Sequence, residues 1–257
     1  MKRIYALIKG LDDAMKRIVK ELKNEGVYDN TMIIISADNG MFHGSHGLAG
    51  KWYPYQESIR VPLIIRDPRM PKDKIGTVDD SLTLNVDLAE TILGAAGMEP
   101  HTTMQGRDIS DLYLSDEKSD DDANKLVNKP WREDFLYEFH LPGDERFLPS
   151  SAAVVSKHFK YIQWKDKVIG DMDNKDIVEE LYNLTSDPLE LNNLLNKENI
   201  EDHVSDKLDF MRRRMVHLKE ETRSPTASEE VQCSRKFMEQ FYSKKEDDDD
   251  EVDDDKK

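Results

Sequence analysis

Apolar residues recur at helical spacing through the first two dozen positions: Ile4, Leu7, Ile8, Leu11, Met15, Ile18, Val19 and Leu22. That period gathers them into one stripe and predicts an amphipathic helix, which Gly26 ends. Tyr28-Asp29-Asn30 then turns the chain, and the pattern changes to a short unbroken apolar run at 32–35, rich in β-branched residues. This run predicts a buried strand, and a second run at 61–65 predicts another. Asp67-Pro68 and Met70-Pro71 punctuate a loop. A short helix is predicted over 87–97, with Asp87 capping it or in its first turn and Gly97 stopping it.

Beyond residue 130 the style changes. Residues 135–139, 152–155 and 159–164 predict three strands, the last two forming a hairpin about Ser156-Lys157-His158, and 180–184 predicts a fourth. An amphipathic helix follows over 199–221, with Val204, Leu208, Met211, Met215 and Leu218 on one side. The predicted architecture is therefore α/β in the first half, then a small α+β domain of antiparallel sheet and helix. Two apolar strands and two helices cannot cover each other, whereas apolar strands belong in larger sheets covered on both faces. Residues 1–114 are thus expected to be the downstream end of a larger α/β domain. The acidic stretch 115–129 is read as a loop, 130–223 as the small domain, and 224–257 as a disordered tail carrying at most a short helix near 237–242.

Charge changes this picture little. Residues 246–257 carry nine acids against two lysines and 116–122 five against one, so these segments hold −11 of the net −16. The remaining charge is ordinary for a globular domain, and the acidity argues against a nucleic-acid partner. The single cysteine, Cys233, excludes an internal disulfide framework and a Cys-rich zinc site. No apolar run reaches the roughly 18 residues that a membrane span needs. Met1-Lys2-Arg3 looks like the start of a signal peptide, but Lys9, Asp12 and Asp13 break up the stretch where its apolar core would have to lie.

Candidate chemistry concentrates between the two predicted strands of the first half. Ser36-Ala37-Asp38-Asn39-Gly40 stands at the end of the first, where α/β folds place ligand sites. His43-Gly44-Ser45-His46-Gly47 and Gly50-Lys51 come next. Polar groups crowded there are costly without a partner. These residues, with His46-Gly47-Leu48 and the run from Tyr55 through Glu57, Arg60 and Pro62 to Leu63, resemble the second signature block of the type I sulfatases, in the alkaline-phosphatase-like superfamily. Downstream pieces match in order: Asn85-Val86-Asp87-Leu88, Gln105-Gly106-Arg107, Lys160-Tyr161-Ile162, Glu180-Leu181-Tyr182-Asn183-Leu184, Asp187-Pro188-Leu189-Glu190 and Asn193-Leu194. The similarity covers about 3–220.

The resemblance implies that Asp38 and Asn39 bind a calcium ion, that Lys51 contacts the sulfate and that His46 is a candidate substrate contact. A carboxylate and an amide oxygen suit a hard cation, and an ion beside an ammonium would neutralise a sulfuryl group. The family's nucleophile is a formylglycine made within a Cys/Ser-x-Pro/Ala-x-Arg motif. That motif has no counterpart here; Cys233-Ser234-Arg235-Lys236-Phe237 does not fit it. The upstream aspartate pair and the other basic active-site residues are also absent. The expected function is thus the C-terminal portion of a calcium-dependent sulfatase acting on a sulfated small molecule or glycan, inactive alone, with an N-terminal half encoded upstream. Two alternatives stay open: a phosphoester or phosphonate hydrolase of the same superfamily, and an inactive glycan- or partner-binding module. Relatives are commonly periplasmic, secreted or lysosomal; the compartment is not legible in this chain.

Other residues take plainer readings. Asp12 and Asp13 are expected on a solvated helix face, His43 in a loop and His140 at the surface. Asn183-Leu184-Thr185 is read as an accidental sequon.

Overall fold

A computed structural model describes residues 2–114, 130–140, 149–165, 177–197 and 200–222. The acidic loop and tail, with Cys233, lie outside them. The chain divides into two compact units: 1–134 with 187–191, and 135–186 with 192–257.

In the first unit, helix α1 (Lys2–Asn24) runs to the left-handed Gly26. Its apolar stripe forms as the spacing requires, yet none of its residues is fully buried. Together with Ile35 and Ile64, Ile8, Leu11, Met15 and Val19 line a groove of about 670 Å³. Asp12 and Asp13 lie on the exposed side, paired with Lys9 and Lys16. Strand β1 (Ile33–Ile35) is half-buried rather than buried. Strands β2 (Phe42–His43) and β3 (Ala49–Gly50) form a small antiparallel hairpin. After the one-turn helix α2 (Gln56–Ile59), strand β4 (Ile64–Arg66) pairs antiparallel with β1, Ile34 opposite Ile65. The strand expected at 61–65 begins three residues late, since Pro62 has no N–H to donate to a ladder.

Helix α3 (Asp87–Ala95) begins on Asp87 itself, whose carboxylate is fully buried. It accepts the Leu84 and Arg107 amides at 2.7 and 3.0 Å, and Arg132 clasps it at 2.5 and 2.6 Å. Asp67, also buried, receives Arg69 and the Tyr113 hydroxyl, Tyr113 lying in the short helix α4 (Asp111–Leu114). Burial opposes the charge of Asp67, but these donors outweigh it and hold the carboxyl below its usual range.

The second unit is a sheet of β5 (Asp134–Phe139), β6 (Ser150–Ser156), β7 (Phe159–Lys165) and β8 (Ile177–Asn183) in sequential order. Its β6–β7 and β7–β8 pairs are antiparallel. Helix α5 (Asp202–Thr222) crosses it, burying Val204, Leu208, Met211, Met215 and Leu218 on Ala152, Val154, Tyr161 and Leu181. Each such side chain contributes about 1.5–3 kcal/mol on leaving water. His140 bonds Ser150 through Nδ1 at 2.8 Å. Asn183 of the sequon folds back to accept the Thr185 amide at 3.0 Å, so this asparagine forms a turn. Among the described residues, no helix is long and apolar enough to cross a membrane.

Candidate functional site

Strand β1 delivers the chain to Asp38 and Asn39. The Asn85 amide fixes this exit by donating to the Ala37 and Asp38 carbonyls at 3.2 and 3.1 Å. Gly40 then passes against the backbone of α2: its N–H donates to the Ser58 carbonyl at 2.8 Å, and a Cβ there would lie 2.1 Å from the Glu57 carbonyl oxygen. Only glycine fits that approach.

The β2–β3 hairpin carries the chain back to Lys51. Its ammonium donates to Asn39 Oδ1 at 2.8 Å and stands 4.0 Å from Asp38 Oδ2. Three of the four residues singled out in the sequence therefore share one locus. The Asp38 side chain is 85% exposed; its Oδ1 accepts the Asn39 backbone amide at 2.9 Å, and Oδ2 faces Lys51. The Asn39 amide NH₂ is engaged by the Gly40 carbonyl at 2.7 Å, which turns its oxygen towards Lys51.

His46 is held differently. Its ring stacks on Tyr55 at 4.5 Å, meets Phe42 edge-on, and places Nε2 3.6 Å from Glu57 Oε2. Among the described residues, no hydrogen bond or ion pair joins it to Asp38, Asn39 or Lys51. His43 is exposed at the end of β2.

Two supports are not legible in the sequence. Buried Glu190 reaches from a distant loop to accept the Gln56 amide at 2.7 Å, and the buried Ser58 hydroxyl accepts the Trp52 amide at 2.9 Å. The Asp187-Pro188-Leu189-Glu190 run is visible as a motif, but nothing local shows which amide its acid would meet.

The donor set can be tested against a calcium ion. A carboxylate and an amide oxygen converge on a single cation, the Lys51 ammonium, and both are the hard oxygens such an ion takes. They fit two of the six to eight positions. No group of three or more His, Cys, Asp or Glu able to hold a metal occurs among the described residues.

Comparison with known proteins places the chain in a family. Residues 44–221 match the family model described as N-sulphoglucosamine sulphohydrolase, C-terminal. The chain belongs to the sulfatase family. An N-acetylglucosamine-6-O-sulfatase of Bacteroides thetaiotaomicron is 29% identical over 197 residues, covering 77% of this sulfatase chain and 32% of the relative. A solved protein in complex with its substrate D-glucosamine-2-N,6-O-disulfate superposes with a TM-score of 0.68 at 26% identity, covering 84% of this chain and 39% of that one. The phosphonate monoester hydrolase of Agrobacterium radiobacter gives a TM-score of 0.65 at 24% identity, over 84% of this chain and 40% of its own, a likeness of fold alone. The sulfatase chain thus spans about a third of the curated relative's length. It matches the C-terminal portion, as the order of motifs implied.

Proposed function

We infer that this chain supplies the calcium- and sulfate-binding C-terminal part of a sulfatase acting on a sulfated sugar. The observation that carries this reading is the convergence of Asp38, Asn39 and Lys51, with Lys51 Nζ 2.8 Å from the Asn39 oxygen. Asp38 and Asn39 would hold the ion, and a bound calcium would draw negative charge off the sulfuryl oxygens. Lys51 provides a fixed positive charge beside them, where the ester oxygens gain charge as the bond breaks. Gly40, Asn85 and Ser58 hold these groups in place before substrate arrives, which saves ordering them during the reaction. His46, packed on Tyr55 and facing Glu57, shapes the loop that presents Lys51 rather than contacting the sulfate. The nucleophile comes from a formylglycine-bearing segment outside this sequence. The disulfated glucosamine bound by the structural neighbour supports a sulfated amino sugar as substrate class.

Calorimetry tests the ion site. With only two protein ligands, calcium affinity is expected on the order of 10⁻⁴ M or weaker. Its heat should vanish in Asp38→Ala, and inorganic sulfate binding should vanish in Lys51→Ala. Calcium binding that survives Asp38→Ala would overturn the assignment.

A further inference from the structure

Three non-glycine residues have positive φ among those described: His46 (55°), Trp52 (83°) and Glu190 (55°). All three belong to the frame around Lys51. His46 lies in the hairpin turn, Trp52 comes directly after Lys51, and Glu190 braces the start of α2. Backbone conformations of this kind are sparsely populated for L side chains and gather where a structure must aim particular groups.

Trp52 stands out among the three. A single exposed aromatic needs no explanation by itself. This one is 48% exposed in a conformation that suits glycine, and the buried Ser58 hydroxyl pins its amide. The Lys51 ammonium lies 5.7 Å from its ring centroid while also touching Asn39. The ammonium thus lies over one face of the indole, and the half-exposed ring borders the locus. A sulfate held by Lys51 carries its sugar on the ester oxygen, so the sugar ring comes within reach of the indole. The C–H face of a pyranose is weakly positive and apolar, and it meets the negative face of an aromatic ring favourably.

We propose that Trp52 is a sugar-stacking, specificity-determining residue that grips the pyranose ring of the sulfated substrate while Lys51 holds its sulfate. The assignment rests on the sulfated-sugar reading above and adds the group that distinguishes a sugar sulfate from sulfate itself.

NMR titrations of the full chain in calcium buffer separate the two claims, using N-acetylglucosamine 6-sulfate and inorganic sulfate as probes. Trp52→Gly removes the ring at a φ that glycine adopts freely, so the fold should be kept, with a cooperative thermal transition close to that of the parent. It should weaken the sugar sulfate about tenfold and leave inorganic sulfate unchanged. Trp52→Phe should keep most of the sugar affinity. Equal sugar affinity in Trp52→Gly and the parent overturns the stacking role while leaving a Lys51-dependent sulfate site intact. Loss of both probes in Trp52→Gly also overturns it, since the ring would then act by shaping the loop. A parent chain that binds neither probe defeats the sulfated-sugar reading and this proposal together.

Discussion

Arg132 and Asp87 form the most deeply buried ion pair described in the first unit, with side chains 8% and 0% exposed. Their attraction is set against the cost of taking both charges out of water, so the pair is not in itself strong evidence of stability. Removing one partner is another matter. Arg132→Met leaves a carboxylate buried with only the Leu84 and Arg107 amides, and is expected to lower stability by about 3–5 kcal/mol. Asp87→Asn combined with Arg132→Met should recover part of that loss. Urea unfolding of the parent, Arg132→Met, Asp87→Asn and the double variant decides the point, and strict additivity of the two single changes would mean the groups are not coupled. Since α3 begins at Asp87 and Asn85 steadies the exit of Asp38, this clasp also bears on the candidate site.

At the scale of elements, β8 and α5 are joined by Arg212, which donates two hydrogen bonds to Glu179, and Glu179 also receives the Tyr161 hydroxyl. The Arg212 hydrogen bonds hold the Glu179 carboxyl below its ordinary 4.5, against the effect of burial. A group with a depressed folded pKa stabilises fully above its unfolded value and loses that contribution as pH falls through the folded one. The second unit should therefore weaken from about pH 4.5 downward. Glu179→Gln should be less stable at neutral pH, and its deficit should shrink in acid. Thermal midpoints of both proteins from pH 3 to 7 measure this; a constant gap would exclude the pair as the cause. Salt should blunt the effect, because Arg212 is 43% exposed.

For the molecule as a whole, family membership and chemical competence are separate matters. The Cys/Ser-x-Pro/Ala-x-Arg motif occurs nowhere in the sequence, and the described residues present two metal-type oxygens and one lysine at the locus. Purified chain is therefore expected to show negligible turnover of an aryl sulfate in calcium buffer. Turnover should appear when a formylglycine-bearing sulfatase segment is supplied. Clear hydrolysis by the chain alone, abolished in Lys51→Ala, would show that it holds a complete active site of its own.

The amino-acid order determined by itself whatever depends on neighbours along the chain. The period of Ile4 to Leu22 set α1, the apolar runs placed β1 and the four-stranded sheet, and all five apolar positions expected on one side of α5 are buried. The order of motifs from Asp38 to Asn193 marked the family, and Asp38, Asn39 and Lys51 were legible as a group. Only the tertiary structure decided which distant groups meet, because those contacts depend on closing long loops. It put Glu190 on the Gln56 amide and Arg132 on Asp87, and turned His46 towards Tyr55 and Glu57. It also held Trp52 at positive φ beside Lys51. A residue's local pattern states which face it prefers. Its partner across 134 positions of chain, as for Gln56 and Glu190, is chosen when folding brings a buried carboxylate to a half-buried backbone amide and each satisfies the other.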